Sequence, residues 1–240
     1  MENELIRINK YLAQAGICSR READVLVESG RVVINGALAT SGQKVSESDD
    51  IWVDGKKIAK LQNYAYLAFN KPRGVVVSHK DEHAKVLIED IIDYPERVTY
   101  AGRLDKDSEG LIILTNDGQF IQDAMKGSGG HEKEYVVVLD REPDDTDISL
   151  LEKGIFLKDL NRKTRKCTIK KSGSRSVTMT ITEGLNRQIR RMWAERGYEV
   201  VKLRRIRVMN IELGELRPGE YREINGKELE SLLTTLSLNR

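Results

Sequence analysis

Two dipeptides, Asn35-Gly36 and Asp54-Gly55, do most to limit the folds open to this chain. Asn-Gly and Asp-Gly accept positive φ at both positions, as a two-residue hairpin turn requires. Arg31–Ile34 leads into the first pair and Ile51–Val53 into the second, so two short strands ending in tight turns are expected. Ahead of them, Ile8, Leu12 and Ala15 recur at helical spacing, and Gly16 stops that helix. Ser19-Arg20-Arg21-Glu22 then has the form of a capping box, in which Ser19 caps a second helix and Glu22 answers from its first turn. Ala23, Leu26 and Val27 supply the apolar side of that helix and Gly30 ends it. Residues 1–58 therefore read as one compact unit. The polar stretch that follows reads as a linker over 59–65, with a larger domain over 66–240.

Arg20 and Arg21 occupy the first turn of the second helix, where the dipole disfavours a cation by about 0.3–1 kcal/mol. A bound phosphate would account for them, and so would side chains that simply extend into water. The same choice arises on a larger scale. Between Lys158 and Arg207 there are sixteen Lys or Arg against four Asp or Glu, a balance of +12. On a chain of net charge +2 the remainder then carries −10, so the basic block is either a polyanion-binding face or a solvated surface.

Hydrophobic residues at 39% and charged residues at 32% give a globular profile with enough apolar mass for a core. No stretch approaches the roughly 18 apolar residues of a membrane helix. The opening Met-Glu-Asn-Glu-Leu-Ile-Arg lacks the order of a signal peptide, and a cytoplasmic protein without membrane partners is expected. Cys18 and Cys167 stand far apart with no Cys-x-x-Cys spacing, which argues against a disulfide framework or a cysteine zinc site. His79 and His83 are spaced for a shared metal on a helix, but their polar surroundings read as a loop, so no metal is expected.

Beyond residue 65, strand-like runs follow at Tyr66–Phe69, Val75–Val77, Leu111–Leu114, Tyr135–Leu139 and Val177–Ile181. Helical patterns lie at Val86–Ile92, Gln119–Met125 and Leu185–Arg196. Several strands with short connections and interspersed helices imply an α+β domain with a mainly antiparallel mixed sheet.

The densest polar cluster runs from Gly102 to Gly110 and carries Asp105, Asp107 and Glu109. A loop held by strands is a common place for catalytic groups, and the three carboxylates offer a nucleophile, an acid or a base. A charged turn is the plain alternative, and a carboxylate pair of the kind used in glycoside hydrolysis is another, although sequence spacing does not give the distance such a pair needs. Lys133 and Tyr135 share one side of a strand, two residues apart. The segment 184–192 begins a helix in which Leu185, Ile189, Met192 and Trp193 form an apolar stripe, with Arg187, Arg190 and Arg191 on other faces.

Residues 6 to about 53, with Arg-Ile-Asn-Lys-Tyr-Leu, Ser-Arg-Arg-Glu-Ala and Gly-Arg-Val-Val-Ile-Asn-Gly, resemble an S4 RNA-binding domain. Gly-Arg-Leu-Asp at 102–105, Lys-Glu-Tyr at 133–135 and Arg-Gln-Ile-Arg-Arg-Met at 187–192 resemble the RsuA/RluB/RluE/RluF family of RNA pseudouridine synthases, most of all its RluF-type branch. Asn70-Lys71-Pro72-Arg73-Gly74 matches the start of that family's catalytic domain. The resemblance implies an isomerase of ribosomal RNA, of the 23S species with tRNA as a second substrate, acting as a monomer without cofactor. It implies Asp105 as the catalytic aspartate, Arg190 as its paired arginine and Tyr135 as the aromatic residue stacked on the target base. It further implies RNA contacts from Arg7, Lys10, Ser19, Arg20, Arg21 and Asn35 in the first unit, and from Arg103, Lys133, Arg187 and Arg191 in the second. The alternatives to such an enzyme are a non-catalytic S4-type RNA-binding or ribosome-assembly protein, and a carbohydrate hydrolase. The first leaves the catalytic motifs without purpose. The second leaves the S4 pattern unexplained.

Overall fold

The computed structural model describes residues 5–46, 48–58, 63–78 and 86–238. The expected His79 and His83 loop, and most of the expected linker, lie outside them. Contacts divide the chain into two units, one of Met1–Ala65 with Tyr94–Val98 and Asn116–Gly118, the other of Tyr66–Asp93, Thr99–Thr115 and Gln119–Arg240.

The first unit begins with β1 (Ile6–Arg7), α1 (Ile8–Gln14) and α2 (Arg20–Glu28). It continues with β2 (Val32–Ile34), β3 (Ala37–Leu38), β4 (Lys44–Val45), β5 (Ile51–Val53) and β6 (Lys56–Lys57). Its sheet runs β3-β2-β5-β6. The two hairpin turns form as the sequence predicts: Asn35 and Gly36 have φ of 51° and 82°, and Asp54 and Gly55 have 49° and 74°. The capping box closes, with the Glu22 amide donating to Ser19 Oγ and the Ser19 amide to the Glu22 carboxylate. Those bonds hold the Glu22 carboxyl below the usual carboxylate range, the backbone amide of Ser19 being the larger cause. Ile8, Leu12, Ala23 and Val27 meet Val32, Ile34, Ile51 and Val53 in one small core.

The second unit contains β7 (Tyr66–Lys71), β8 (Thr99–Ala101), β9 (Glu109–Thr115), α3 (Gly118–Met125), β10 (Lys133–Leu139) and α4 (Asp145–Glu152). The two-residue pair β11 (Phe156–Leu157) and β12 (Arg162–Lys163) follows, then β13 (Thr168–Gly173), β14 (Ser176–Ile181) and α5 (Gln188–Ala194). β15 (Val200–Val208), β16 (Ile211–Glu212), β17 (Tyr221–Glu223) and α6 (Gly226–Thr235) complete it. The sheet runs β13-β14-β10-β15-β9-β7-β17, with β16 on β15 and β8 on β9. Among the described residues, β9 and β15 run parallel and the other pairs antiparallel, giving the mainly antiparallel mixed sheet expected.

β9 has a divided edge, and this positions the site. β7 pairs along one side of β9, while the other side is shared by two strands. β15 takes Glu109 and Gly110 at one end, and β8 takes Ile113 to Thr115 at the other. The loop between β8 and β9, residues 102–108, opens where that edge changes partner. A Cβ at Gly110 would sit 2.2 Å from the Arg205 carbonyl oxygen, and its φ is +108°, so only glycine lets the two strands close up here.

α5 is shorter than the expected Leu185–Arg196. Arg187 has a left-handed φ of 50°, which blocks helix before Gln188, and Gly197 at φ 76° ends the following turn. Ile189, Met192 and Trp193 are buried against β10, β14 and β15, joined by Tyr135, Val137 and Met179. Removing a side chain such as Trp193 from such a core costs about 3–5 kcal/mol. The expected helix over Val86–Ile92 is only a single 3-10 turn at Ile88–Asp90. Here Val76 takes the backbone bonds a helix would need, with its amide on the Val86 carbonyl and its carbonyl on the Ile88 amide. Val75–Val77 accordingly makes one isolated bridge, Val76 to Leu87, in place of a strand.

Candidate active site

The β8–β9 loop is held on several sides. The Ser108 amide donates to the Asp105 carbonyl at 3.0 Å, and the Gly74 amide to the Lys106 carbonyl at 2.8 Å. Arg190 Nη2 reaches the Asp107 carbonyl at 3.3 Å. Asp105 thus stands on a fixed turn, its side chain 31% exposed, at the wall of a cavity of about 480 Å³. That volume falls within the range of small-ligand pockets. Tyr135 and Lys133, on one face of β10, line the same cavity, as do Arg187 and Arg205.

The guanidinium at ion-pair distance from Asp105 belongs to Arg187, with Nη1 3.8 Å from Oδ2. This departs from the expected pairing with Arg190. The reason lies in the backbone: the left-handed residue preceding α5 carries Arg187 out over the aspartate. Arg190, inside the helix, gives its Nη1 to the Val200 carbonyl at 2.6 Å and its Nη2 to Asp107. Burial lowers the pKa of the Arg190 guanidinium, with Arg187 adding to the effect and Asp105 and Asp107 opposing it. Arg191 turns away to Asp159 at 2.5 Å and to the Asn186 carbonyl.

Four residues without an expected role complete the site. Glu183 and Gln188 are both buried. Gln188 Nε2 donates to Glu183 Oε1 at 2.9 Å, and Gln188 Oε1 accepts from the Leu185 amide at 3.0 Å, which pins the turn that presents Arg187. Lys71 is fully buried and donates from Nζ to the Pro72 and Val75 carbonyls at 2.8 and 2.9 Å. Burial pushes its ammonium down to about 8, against the pull of Asp105, Glu109 and Asp107. Arg205 is buried beside the cavity, its Nε on the Leu111 carbonyl. Lys133, half-buried, has its pKa lowered by burial first and by Arg205 second. Gln188 and Lys71 sit inside the sequence motifs, yet nothing in their spacing marks a buried partner. Glu183 and Arg205 carry no such signal.

In the first unit Arg7, Arg20 and Arg21 are exposed and Lys10 is half-buried. Ser19 Oγ is engaged in the cap. Asn35 is tied by its side chain to Asp49 and to the Asp50 amide. Arg103 is exposed and lines the cavity. Among the described residues no His, Cys, Asp and Glu gather as a metal site, and no helix is long and apolar enough to cross a membrane.

Residues 65–195 match the RNA pseudouridylate synthase family, and residues 6–51 match the S4 domain. The chain belongs to the RNA pseudouridine synthases. It is 41% identical over 229 residues to the dual-specificity RNA pseudouridine synthase RluF of Shigella flexneri, covering 95% of this chain and 78% of that protein. It is 36% identical over 232 residues to ribosomal large subunit pseudouridine synthase B of Bacillus subtilis, covering 94% and 95%. A crystal structure of a pseudouridylate synthase superposes with a TM-score of 0.70 at 30% identity, covering 95% and 99%. This pseudouridine synthase therefore joins an S4 domain to the catalytic fold of its family, and it is an isomerase.

Proposed function

We propose that this synthase isomerises a specific uridine of ribosomal RNA, in the large-subunit 23S species, with tRNA as a second substrate. It works as a monomer, with residues 1–58 gripping RNA and residues 66–240 carrying the reaction. The observation that carries the reading is Asp105, a part-exposed carboxylate on a fixed turn, sharing one cavity with Tyr135 and Arg187. One relative is named for the ribosomal large subunit, which supports that target, and another for dual specificity toward RNA, which supports a second RNA substrate.

The target uridine leaves its stack to enter the cavity, at a cost of a few kcal/mol. Phosphate contacts from Arg7, Lys10, Arg20 and Arg21 offset that cost. Tyr135 stacks on the uracil ring, an interaction of about 1–3 kcal/mol. Asp105 attacks C1′ as the C1′–N1 bond breaks and its electron pair leaves with the uracil. The freed base rotates, C5 bonds to C1′, and the carboxylate departs. The C5 proton is then lost, with Tyr135 assisting, and N1 gains one, so the product is an isomer of the substrate. A variant route, in which Asp105 removes the 2′ proton and the base leaves by elimination, uses the same carboxylate. Arg187 balances the charge of Asp105 and Arg190 holds the loop beneath it. No electron carrier, phosphate donor or metal enters the balance.

The test is to map pseudouridines in ribosomal and transfer RNA from cells with and without this gene. Loss of a defined site in 23S RNA is expected. An unchanged pseudouridine map would overturn the reading.

A further inference from the structure

The outer half of the large sheet has two unlike faces. Tyr135, Val137, Leu139, Val177, Met179 and Ile181 point into the core. Lys171 of β13 reaches Asp145 of α4 at 2.8 Å, which places that helix over the same side as Ile169. Alternation then turns Lys170 to the opposite side. There the register aligns Lys170 with Thr178, Thr178 with Val136, and Val136 with Arg204. The next row on the same side aligns Ser176 with Val138 and Val138 with Lys202. Val136, Val138, Ser176, Thr178 and Arg204 are half-exposed, and Lys170 and Lys202 are exposed.

The charge on this side is mainly basic, with Glu109 of β9 as the carboxylate aligned beside Arg204 at the inner border. Within β10, β13, β14 and β15 the only carboxylate is Glu134. Its oxygen is taken by Arg207 at 2.8 Å, which also binds Glu132. Lys170 lies on the outermost strand, while Lys202 and Arg204 lie three strands away, about 14 Å at the usual strand spacing. Between these cations run short hydroxyl and β-branched side chains, leaving a shallow floor with basic borders.

We propose that this open face, bordered by Lys170 on one side and by Lys202 and Arg204 on the other, is a second RNA-docking surface. It takes the backbone of an RNA helix while the cavity, on the opposite face of the sheet, holds the target nucleotide. The proposal deepens the reading above and rests on its RNA substrate. An RNA duplex suits the surface because phosphates line both borders of a groove, and recognition by shape and phosphate needs no base contacts.

The probe is a labelled RNA duplex of about 16 base pairs, in which every uridine is paired and closed to the cavity. The full chain carrying Lys170→Glu, Lys202→Glu and Arg204→Glu should bind it on the order of tenfold more weakly. Its salt dependence should flatten by up to three phosphates' worth. The glutamine triple variant, which keeps the fold with smaller perturbation, should fall between it and the unaltered chain. Single-turnover isomerisation of a short saturating substrate should stay within about twofold. Equal duplex affinity and equal salt slope in the glutamine variant would overturn the proposal. So would a loss of self-association in its place, which would assign the face to a second copy of the chain. Failure of the unaltered chain to isomerise RNA would sink the proposed reaction, and duplex binding is measured independently of it.

Discussion

Arg187 Nη1 stands 3.8 Å from Asp105 Oδ2, and the residue that makes this contact is the left-handed one just before α5. One turn on, Arg190 gives its guanidinium to the carbonyls of Val200 and Asp107. The two neighbouring arginines thus play separate parts. Arg187 faces the carboxylate, and Arg190 braces the loop that carries it.

That division separates two variants. Arg187→Met removes a part-exposed ion pair and should change stability by less than about 1 kcal/mol. Its single-turnover rate at saturating RNA should nevertheless fall at least about tenfold. Arg190→Met leaves two carbonyl oxygens without their donor and should cost about 1–3 kcal/mol of stability as well as activity. Urea denaturation with rate measurements on both variants checks this. An Arg190→Met protein as stable as its parent would remove the bracing role.

Lys71 should make stability depend on pH in a known direction. Its folded-state pKa is pushed down to about 8 from the ordinary 10.5. Between those values the unfolded chain binds more protons than the folded one, so stability rises with pH across the window. Below about pH 8 the cost of the buried ammonium is present in full. Relative to Lys71→Met, the parent should therefore gain on the order of 3 kcal/mol between pH 8 and pH 10.5. Parallel urea titrations would expose the opposite trend, or none.

Gly110→Ala should be the most disruptive small substitution near the site. The added methyl meets the Arg205 carbonyl at 2.2 Å and amide at 2.7 Å, on a backbone at φ +108°. Backbone strain and overpacking together should cost more than about 2 kcal/mol. A thermal melt within a degree of the parent would mean that β9 and β15 do not approach as closely as described.

Much of this was legible before the structure, and particular residues show why. Asn35-Gly36, Asp54-Gly55 and the Ser19–Glu22 cap are local features whose chemistry is complete within four residues, and all form as read. β15 is different: Val-Val-Lys-Leu-Arg-Arg-Ile-Arg-Val has no clean alternation, because bulges against β10 shift its register and Arg205 points inward. The start of α5 depends on a left-handed Arg187 that the pinned Glu183–Gln188 turn maintains, and a helical pattern cannot reveal it. Gly-Arg-Leu-Asp was legible as a polar loop between strands, and Asp105 lies on the loop between β8 and β9. Which arginine faces that carboxylate depends on backbone geometry.

Arg20→Ala with Arg21→Ala tests the first unit. Both side chains are exposed in the opening turn of α2, beside the closed cap. Their removal should not lower helix stability, since cations there oppose the dipole. RNA affinity should drop, and its salt dependence should become shallower by up to two phosphates' worth. Single-turnover rates at saturating RNA should remain close to the parent. Identical affinity across a salt titration would return both arginines to the role of solvated surface.

The central claim is that Asp105 performs the chemistry, and Asp105→Asn tests it most directly. The change keeps the size of the side chain and the turn closed by the Ser108 amide, and removes only the nucleophilic charge. Single-turnover pseudouridine formation on RNA that the parent modifies should vanish while RNA affinity stays within a few fold. Asp107→Asn and Glu109→Gln, measured alongside, should retain turnover. More than a trace of pseudouridine from Asp105→Asn would contradict the account.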